Sequence, residues 1–313
     1  MLSRAASAIY WMGRYLERAE NVARFVAVNV HLMLDMGITA GHAQWKPLIA
    51  TSGSEADFAA RYDEPSEKNV LQFLTFDEEN PNSIFSCVCN ARENARTVRD
   101  VISTEMWEQI NALYHMVQAQ SKKSQIGNLQ DFYGRVRSAS HHFVGLSENT
   151  MSHDEGWHFA RLGRMLERAD KTSRMLDVKY FLLLPDAKYV DTPYDAVEWG
   201  AVLKSANGFE MYRKFYHHIN YHDVADFLIF NPVFPRSMGY CVSAAGRSLQ
   251  SITQELGVKA PAQAEMATLQ RMLAATSVDQ VLAEGLHEFI DLFQFNLNVV
   301  DQSIYRSFFA PYR

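Results

Sequence analysis

The sequence predicts an all-α protein, organised as an internally duplicated helical bundle whose two similar halves pack together. The chain of 313 residues contains only 15 glycines and 9 prolines, whereas a β-sandwich or barrel needs many turns rich in these residues. Apolar residues recur at spacings of three and four along two long segments, a period typical of helix packing. A repeat of about 150 residues is the third observation, and no segment shows the alternation of a strand.

The repeat has two parts. Residues 12–20, MGRYLERAE, reappear as residues 162–170, LGRMLERAD, at an offset of 150. Residues of the segment 73–91 reappear within 227–245 at an offset of 154, among them Cys87 as Cys241. Two collinear matches indicate a tandem duplication with a junction near residues 147–154. The predicted halves are residues 1–150 and 151–313, packed as one unit.

The first half begins with a long helix over about residues 3–36, ending before Gly37 and Gly41. Residues 39–68 suggest a short helix and a long connection. A helix then begins near Ser83, which suits an N-cap position because its side chain can accept a backbone N–H. Further helices are predicted over about residues 105–120 and 129–146.

The second half repeats this order. Its long helix covers about residues 155–184 and stops before Pro185, because proline cannot continue a helix. A helix begins near Ser237, the counterpart of Ser83. The last helix is expected to run without interruption from Val278, capped by Ser277, to Phe309.

Composition and charge argue against several classes of function. The net charge of −6 gives no basic surplus for nucleic-acid binding, and no apolar stretch reaches the roughly 20 residues of a membrane span. Three cysteines are an odd number in a long chain, which favours a reducing, cytoplasmic compartment over a disulfide framework. We therefore expect a cytoplasmic protein without nucleic-acid or membrane partners.

The repeated charged motif supplies the candidate binding residues. Within each long helix, Arg14 with Glu17 and Arg164 with Glu167 stand three apart, and Glu20 with Arg24 and Asp170 with Arg174 four apart, which are pairing distances on a helix. A third arginine-rich cluster lies at residues 91–100. The candidate set is Arg14, Glu17, Arg18, Glu20, Arg24, Arg92, Glu93, Arg96, Arg164, Glu167, Arg168, Asp170 and Arg174.

Three interpretations of this motif stay open. The pairs could be solvated surface pairs, which stabilise a helix by a few tenths of a kcal/mol each. They could form a buried ion network that joins the halves. They could also form a functional site, where Glu17 or Glu167 acts as acid or base and the arginines hold a carboxylate or phosphate. For the residues 91–100 cluster, a solvated face is the structural alternative.

Other residues favour structural roles. Glycine at positions 13 and 163, inside both long helices, costs about 1 kcal/mol relative to alanine. Its presence in both suggests the close approach of another backbone or of a ligand, and we expect a close helix crossing. Cys87 and Cys241 are expected in the core. Neither Gly-x-x-x-x-Gly-Lys nor Gly-x-Gly-x-x-Gly occurs, so no nucleotide cofactor is expected. Two Glu-x-x-His pairs, at Glu155 and Glu284, are about what chance supplies, so no metal site is expected.

Several segments together resemble one family. They are residues 11–20 (WMGRYLERAE), residues 91–96 (ARENAR), residues 163–169 (GRMLERA) and residues 234–237 (FPRS). The combination resembles the bacterial alpha-E domain family, whose helical domain has no known function and is named for its Glu-Arg motif. The resemblance covers nearly the whole chain. Only Glu17-Arg18 and Glu167-Arg168 match the naming motif. The members of this family tend to be encoded with, or fused to, an ATP-grasp protein and a transglutaminase-like protein, and the resemblance implies the same partners for this chain.

Two functions follow as expectations. The resemblance implies an accessory or interaction protein in peptide or amide-bond modification, with ATP-grasp and transglutaminase-like partners. The charged motif suggests the alternative of an enzyme with an Arg/Glu site between the halves, acting on a carboxylate or peptide. In that enzyme Glu17 or Glu167 would be the acid or base, and Arg14, Arg18, Arg164 and Arg168 would clamp the anion.

Overall fold

A computed structural model describes residues 1–35, 45–123, 128–182 and 193–310. Within these ranges every regular element is a helix and no residue lies in a strand, so the all-α prediction is confirmed. The predicted ends of the two long helices, before Gly37 and Gly41 and before Pro185, lie outside the described residues. Along the described helices, none is both long enough and apolar enough to cross a bilayer.

The first half of the chain forms the following helices: α1 (Ser3–Asp35), α2 (Lys46–Ser52), α3 (Glu55–Ala59), α4 (Glu67–Thr75), α5 (Ile84–Thr97), α6 (Thr104–Ser121) and α7 (Leu129–Thr150). The second half forms α8 (Glu155–Leu182), α9 (Pro193–Ser205), α10 (Phe209–Tyr212), α11 (Tyr221–Phe230), α12 (Met238–Leu256), α13 (Pro261–Ala274), α14 (Val278–Glu284) and α15 (Leu286–Ile304), followed by a π-helical turn (Tyr305–Phe309).

The predicted serine caps are confirmed. Ser83 Oγ accepts the backbone N–H of Ser86 at 3.0 Å, and Ser237 Oγ accepts that of Tyr240 at 3.0 Å. Ser277 forms a reciprocal capping box at the start of α14. These bonds satisfy amide donors that a helix cannot satisfy within its first turn, so the starts of α5, α12 and α14 are visible in the sequence.

The last predicted helix is not continuous. Gly285 adopts φ +112°, between α14 and α15, a backbone conformation that glycine enters at no steric cost and that a helix does not contain. The prediction of one helix over residues 278–309 is therefore wrong at this glycine, whereas its predicted end is confirmed, because a π-helical turn continues α15 to Phe309. An isolated glycine within a helical pattern does not reveal its φ from the sequence.

Other helices were not predicted. Residues 45–59, assigned to a short helix and a connection, contain both α2 and α3. The sequence pattern also missed α4, α9, α11 and α13, which are 9 to 14 residues long. Helices of this length depend on tertiary packing for their stability, which a local pattern does not contain.

The long helices α1 and α8 pack against each other at the centre of the molecule. Around α1, helices α5, α6 and α7 close a four-helix group, in which α5 and α7 contact α1 and α6 bridges them. Around α8, helices α12, α13 and α15 close a second group with the same order of contacts. Most of the apolar residues that recur at spacings of three and four along α1 are buried, from Ile9 and Met12 to Val26.

Glycines set the distance between α1 and α8. A Cβ added at Gly13 would stand 2.5 Å from the carbonyl oxygen of Ala160 on α8, and one added at Gly163 would overlap the carbonyl oxygen of Tyr10 on α1. The two helices therefore cross in backbone contact at this point. The prediction of a close helix crossing is confirmed, and it brings the charged motifs one turn away face to face.

Candidate functional site

The Glu-Arg motif lies at the crossing of α1 and α8, inside the protein. Glu17 is 2% exposed and Glu167 is 0% exposed. Solvated surface pairs were one interpretation of this motif. That interpretation is wrong, because α1 is covered on several sides by α5, α7, α8 and α9.

Glu167 receives its hydrogen bonds from the other helix. Arg18 of α1 donates from Nε to Oε1 at 2.7 Å and from Nη2 to Oε2 at 2.9 Å. Arg14 donates from Nε to Oε2 at 2.9 Å. The Arg18 pair is bidentate, the geometry in which a planar guanidinium matches a carboxylate best.

Glu17 makes the reciprocal contacts. Arg168 of α8 donates from Nε to Oε1 at 2.7 Å and from Nη2 to Oε2 at 2.9 Å, the same distances as in the Arg18 pair. Asn21 adds a side-chain donor to Oε1 at 3.1 Å. Each Glu-Arg dipeptide therefore supplies the acceptor for the other helix's arginine and the donor for the other helix's glutamate.

A second layer of charges surrounds these pairs. On one side Arg236, from the loop before α12, donates to Glu20 Oε2 at 2.9 Å and to Glu17 Oε1 at 3.3 Å, and Arg24 pairs with Glu20. On the other side Asp170 accepts from Arg174 at 3.0 Å and pairs with Lys171 at 3.1 Å. All four carboxylates of the motif are therefore paired.

The pKa shifts follow from burial and charge. Burial alone would raise the pKa of Glu17 and Glu167, but arginines outweigh it (Arg168 and Arg236 for Glu17, Arg18 and Arg14 for Glu167) and hold both below the ordinary value. Burial also raises the pKa of Asp170, but Lys171 and Arg174 outweigh burial and lower that pKa to about 2. Both glutamates are therefore ionised at neutral pH, each held between positive charges.

The two remaining arginines of the motif differ. Arg14 donates from Nη1 to Asp301 Oδ1 at 2.6 Å, at the C-terminal end of α15. Arg164 reaches only Glu148 Oε1 at 3.4 Å, and its buried Nε has no acceptor among the described residues. Burial, with Arg168 nearby, lowers the pKa of Arg164 to about 10, so its positive charge is only partly compensated.

The predicted pairs within each helix are half right. Glu20–Arg24 and Asp170–Arg174 form within α1 and α8. The structure pairs Arg14 with Glu167 instead of Glu17, and Arg164 with Glu148 instead of Glu167. Spacing of three residues permits a pair on one helix, but the bidentate partners on the opposite helix satisfy both carboxylate oxygens and prevail.

The residues 91–100 cluster is separate from this network. Glu93 and Arg96 pair with each other at 2.9 Å, and both side chains are more than half exposed. Arg92 donates to Asn111 and lies 4.4 Å from the centre of the Tyr114 ring on α6. These three candidates therefore lie on a solvated face of α5 and do not join Glu17 and Glu167.

Sequence reasoning missed several members of the network. Arg236 was named in a family segment but not as a charge partner, and Asp301 and Lys171 were not singled out. Lys171 stands at the repeat position of Asn21, and Arg236 at that of Asn82, which accepts from Arg18 at 2.6 Å. Because both equivalent residues are uncharged asparagines, the repeat gave no charge signal for Lys171 or Arg236.

Cysteines and potential metal ligands add little chemistry. Cys87 and Cys241 are fully buried, as predicted, and burial raises the pKa of each thiol to about 12, so neither is a reactive thiolate. Within the described ranges, no three His, Cys, Asp or Glu side chains are placed to share a metal ion. Of the Glu-x-x-His residues, Glu155 pairs with the amino group of Met1 and His287 donates to Asp177.

The geometry limits what the Glu-Arg cluster can do chemically. Each glutamate bonds guanidinium donors of the opposite helix through both oxygens, and both side chains are buried, so neither carboxylate is accessible to a substrate. A general base needs an accessible acceptor near a reacting group. The arrangement is instead that of a paired ionic core that fixes the register of two helices.

Comparisons with known proteins agree with a family of unknown function. An uncharacterized protein of Mycobacterium bovis and two of Mycobacterium tuberculosis strains are each 24% identical to this chain over 306 residues, covering 90% of it and 34% of the relative. The chain thus spans about a third of the length of these curated relatives. No solved structure matches it.

The family comparison is more direct. Residues 1–309 match Alpha-E, described as a predicted alpha-helical domain with a conserved ER motif. The two Glu-Arg dipeptides of the sequence are Glu17-Arg18 and Glu167-Arg168, the same residues that pair across the crossing of α1 and α8. The chain therefore belongs to the Alpha-E family.

Proposed function

We propose that the chain is an accessory protein that works with an ATP-grasp protein and a transglutaminase-like protein in peptide or amide-bond modification. One observation carries the non-catalytic part of this proposal: both glutamates of the family motif are buried and bond arginines through both oxygens. A motif used in this way builds the fold, so the function falls to the surface of the molecule.

The choice of partners rests on the family resemblance. In each relative the matching sequence makes up 34% of a longer chain, and a position beside further segments suits an accessory role. We place this work in the cytoplasm, because the three free cysteines suit a reducing compartment.

We also propose that the two halves arose by tandem duplication. The two four-helix groups have the same order of contacts, and the Arg18–Glu167 and Arg168–Glu17 pairs are reciprocal. Under this proposal the motif is retained in both copies because each half completes the carboxylate pairing of the other.

Reconstitution tests the accessory function. The chain is co-expressed with an ATP-grasp protein and a transglutaminase-like protein of the kinds that the family resemblance implies, and the mixture is analysed by size-exclusion chromatography with light scattering. We expect a complex of fixed stoichiometry, and ATP-dependent amide formation by the partner that falls when this chain is omitted. Amide formation or cleavage by the purified chain alone, or the absence of a complex with both proteins, would overturn the proposal.

The variant Glu17→Gln separates this proposal from the enzyme alternative. If the motif is structural, the variant lowers the melting temperature, and any loss of partner function follows the unfolded fraction. If Glu17 were an acid or base, activity would vanish with the melting temperature nearly unchanged. The exposed Glu93→Gln, on a solvated pair, is the matched control and should change neither quantity.

A further inference from the structure

A surface cleft of about 440 Å³ opens beside α1, on the outer side of α7. Its lining includes Arg24 of α1, Arg135 and Arg137 of α7, His141 one turn further, and Asn207 after α9. The cleft lies outside the Glu-Arg pairs of Glu17 and Glu167, and the sequence analysis singled out only Arg24 among these residues.

Arg24 is built into the floor of this cleft. It is 3% exposed, pairs with Glu20 and donates from Nη1 to Asn207 Oδ1 at 2.9 Å. Its Nε is buried and has no acceptor among the described residues. Burial lowers the pKa of Arg24, and the positive charges of Arg236 and Arg137 add to that effect against Glu20. The guanidinium is thus under-compensated where it lines the cleft.

Arg137 shows the same shortage of acceptors. It is half-buried, and its Nε is shielded from solvent without an acceptor in the described part of the chain. Neither Arg137 nor the exposed Arg135 forms an ion pair within the described ranges. The two α7 arginines therefore line the cleft with positive charges that no carboxylate of the described residues pairs.

The local charges do not cancel. Asp131 is the one carboxylate among the described lining residues, against three arginines. Glu20 lies behind Arg24, but it already accepts from Arg236 at 2.9 Å and is 3.5 Å from His141 Nε2. The cleft therefore carries a positive excess on a protein whose net charge is −6.

We propose that this cleft, between Arg24, Arg137 and Arg135, binds an anionic group of the carboxylate or phosphate type. Guanidinium groups suit both, since their planar N–H donors match two oxygens at once. Asn207 and the ring of His141 offer further polar contacts at the rim. The site is distinct from the Glu-Arg core, and it does not depend on the accessory function proposed above.

Calorimetric titration of the full chain at low ionic strength tests the site, with pyrophosphate and with citrate as probes. We expect one saturable site for at least one probe, and the tighter probe identifies phosphate or carboxylate as the preferred chemistry. Arg137→Gln should weaken binding by about tenfold or more, since it removes a charged donor. Arg271→Gln, an exposed arginine on α13 that bonds its own helix, is the matched control and should bind as the unmodified chain does.

Arg135→Gln keeps the test decisive if Arg137→Gln does not fold. Arg135 is exposed, so its replacement leaves the core intact, and we expect a weaker but measurable loss of affinity. Saturable binding of neither probe, or unchanged affinity in both Arg135→Gln and a folded Arg137→Gln, would overturn the proposal.

Discussion

At the scale of residues, the effect of substituting Glu167 on stability depends on the cations around its carboxylate. Its carboxylate holds three buried or half-buried cations, namely Arg14, Arg18 and Lys171. Neutralising it leaves those cations in a low dielectric without their anion, which costs more than the pair itself contributes. The consequence of a substitution here is therefore set by the partners left behind.

We predict that Glu167→Gln lowers the free energy of unfolding by about 3–5 kcal/mol, the range for breaking a buried ion pair on one side. Urea denaturation monitored by circular dichroism measures it. Glu93→Gln, on the exposed pair with Arg96, should change stability by no more than about 0.5 kcal/mol. A loss at Glu167 as small as that at Glu93 would contradict a structural core.

The same carboxylates predict how stability depends on pH. Arginines outweigh burial and lower the pKa of Glu20 and Glu167 in the folded protein, and Asp170 titrates at about 2. The unfolded chain, with glutamate pKa about 4.3, takes up protons first as the pH falls. The stability that these three carboxylates contribute is therefore complete above about pH 5, and it is lost as the pH falls toward their pKa values in the folded protein.

Urea denaturation at several pH values between about 7 and 3 measures this loss. Glu167→Gln removes one of the titrating groups, so its stability should fall less steeply with acid than that of the unmodified chain. Parallel curves for the two proteins would show that Glu167 does not contribute to the acid sensitivity.

At the scale of elements, the α1–α8 crossing depends on two glycines. We predict that Gly163→Ala destabilises the protein by at least about 1–3 kcal/mol, the usual cost of overpacking, because its Cβ would overlap the carbonyl oxygen of Tyr10. Gly145→Ala is the control. Gly145 lies within α7 with nothing within 4 Å of an added Cβ, so alanine should stabilise that helix by up to about 1 kcal/mol.

Thermal and urea unfolding of both glycine variants measure the contrast. Opposite signs are expected, since both substitutions gain helix propensity but only Gly163→Ala forces two backbones apart. If Gly163→Ala were as stable as Gly145→Ala, the close approach of α1 and α8 would be wrong.

Elements also show how much the sequence could predict. The caps at Ser83, Ser237 and Ser277 and the two long helices carry local signals, and the structure has them where expected. Partners distant in sequence carry no such signal: Arg236 reaches Glu20 across 216 positions, and Arg24 reaches Asn207 across 183. The charged residues of the repeated motif were therefore predictable, whereas Arg236, Lys171 and Asp301, and most of the pairing, were not.

At the scale of the whole molecule, the charges of each half are completed by the other. Glu17 and Glu20 of the first half receive Arg168 and Arg236 from the second, and Glu167 receives Arg14 and Arg18 from the first. A separated half would expose the apolar faces of α1 or α8 and leave Glu17 or Glu167 without its guanidinium partners. The halves should therefore depend on each other for folding.

We predict that fragments 1–152 and 153–313, cut in the turn between α7 and α8, fold together and not alone. Co-expressed fragments should purify as a one-to-one complex with the helical content of the intact chain, while each fragment alone lacks a cooperative melting transition. Arg168→Gln in the second fragment should weaken the complex, because it leaves Glu17 buried without its bidentate partner, whereas Arg271→Gln, outside the crossing, should not. A single fragment that melts cooperatively as a monomer would show instead that the crossing joins two independent domains, and the Glu-Arg pairs would then be an interface rather than a shared core.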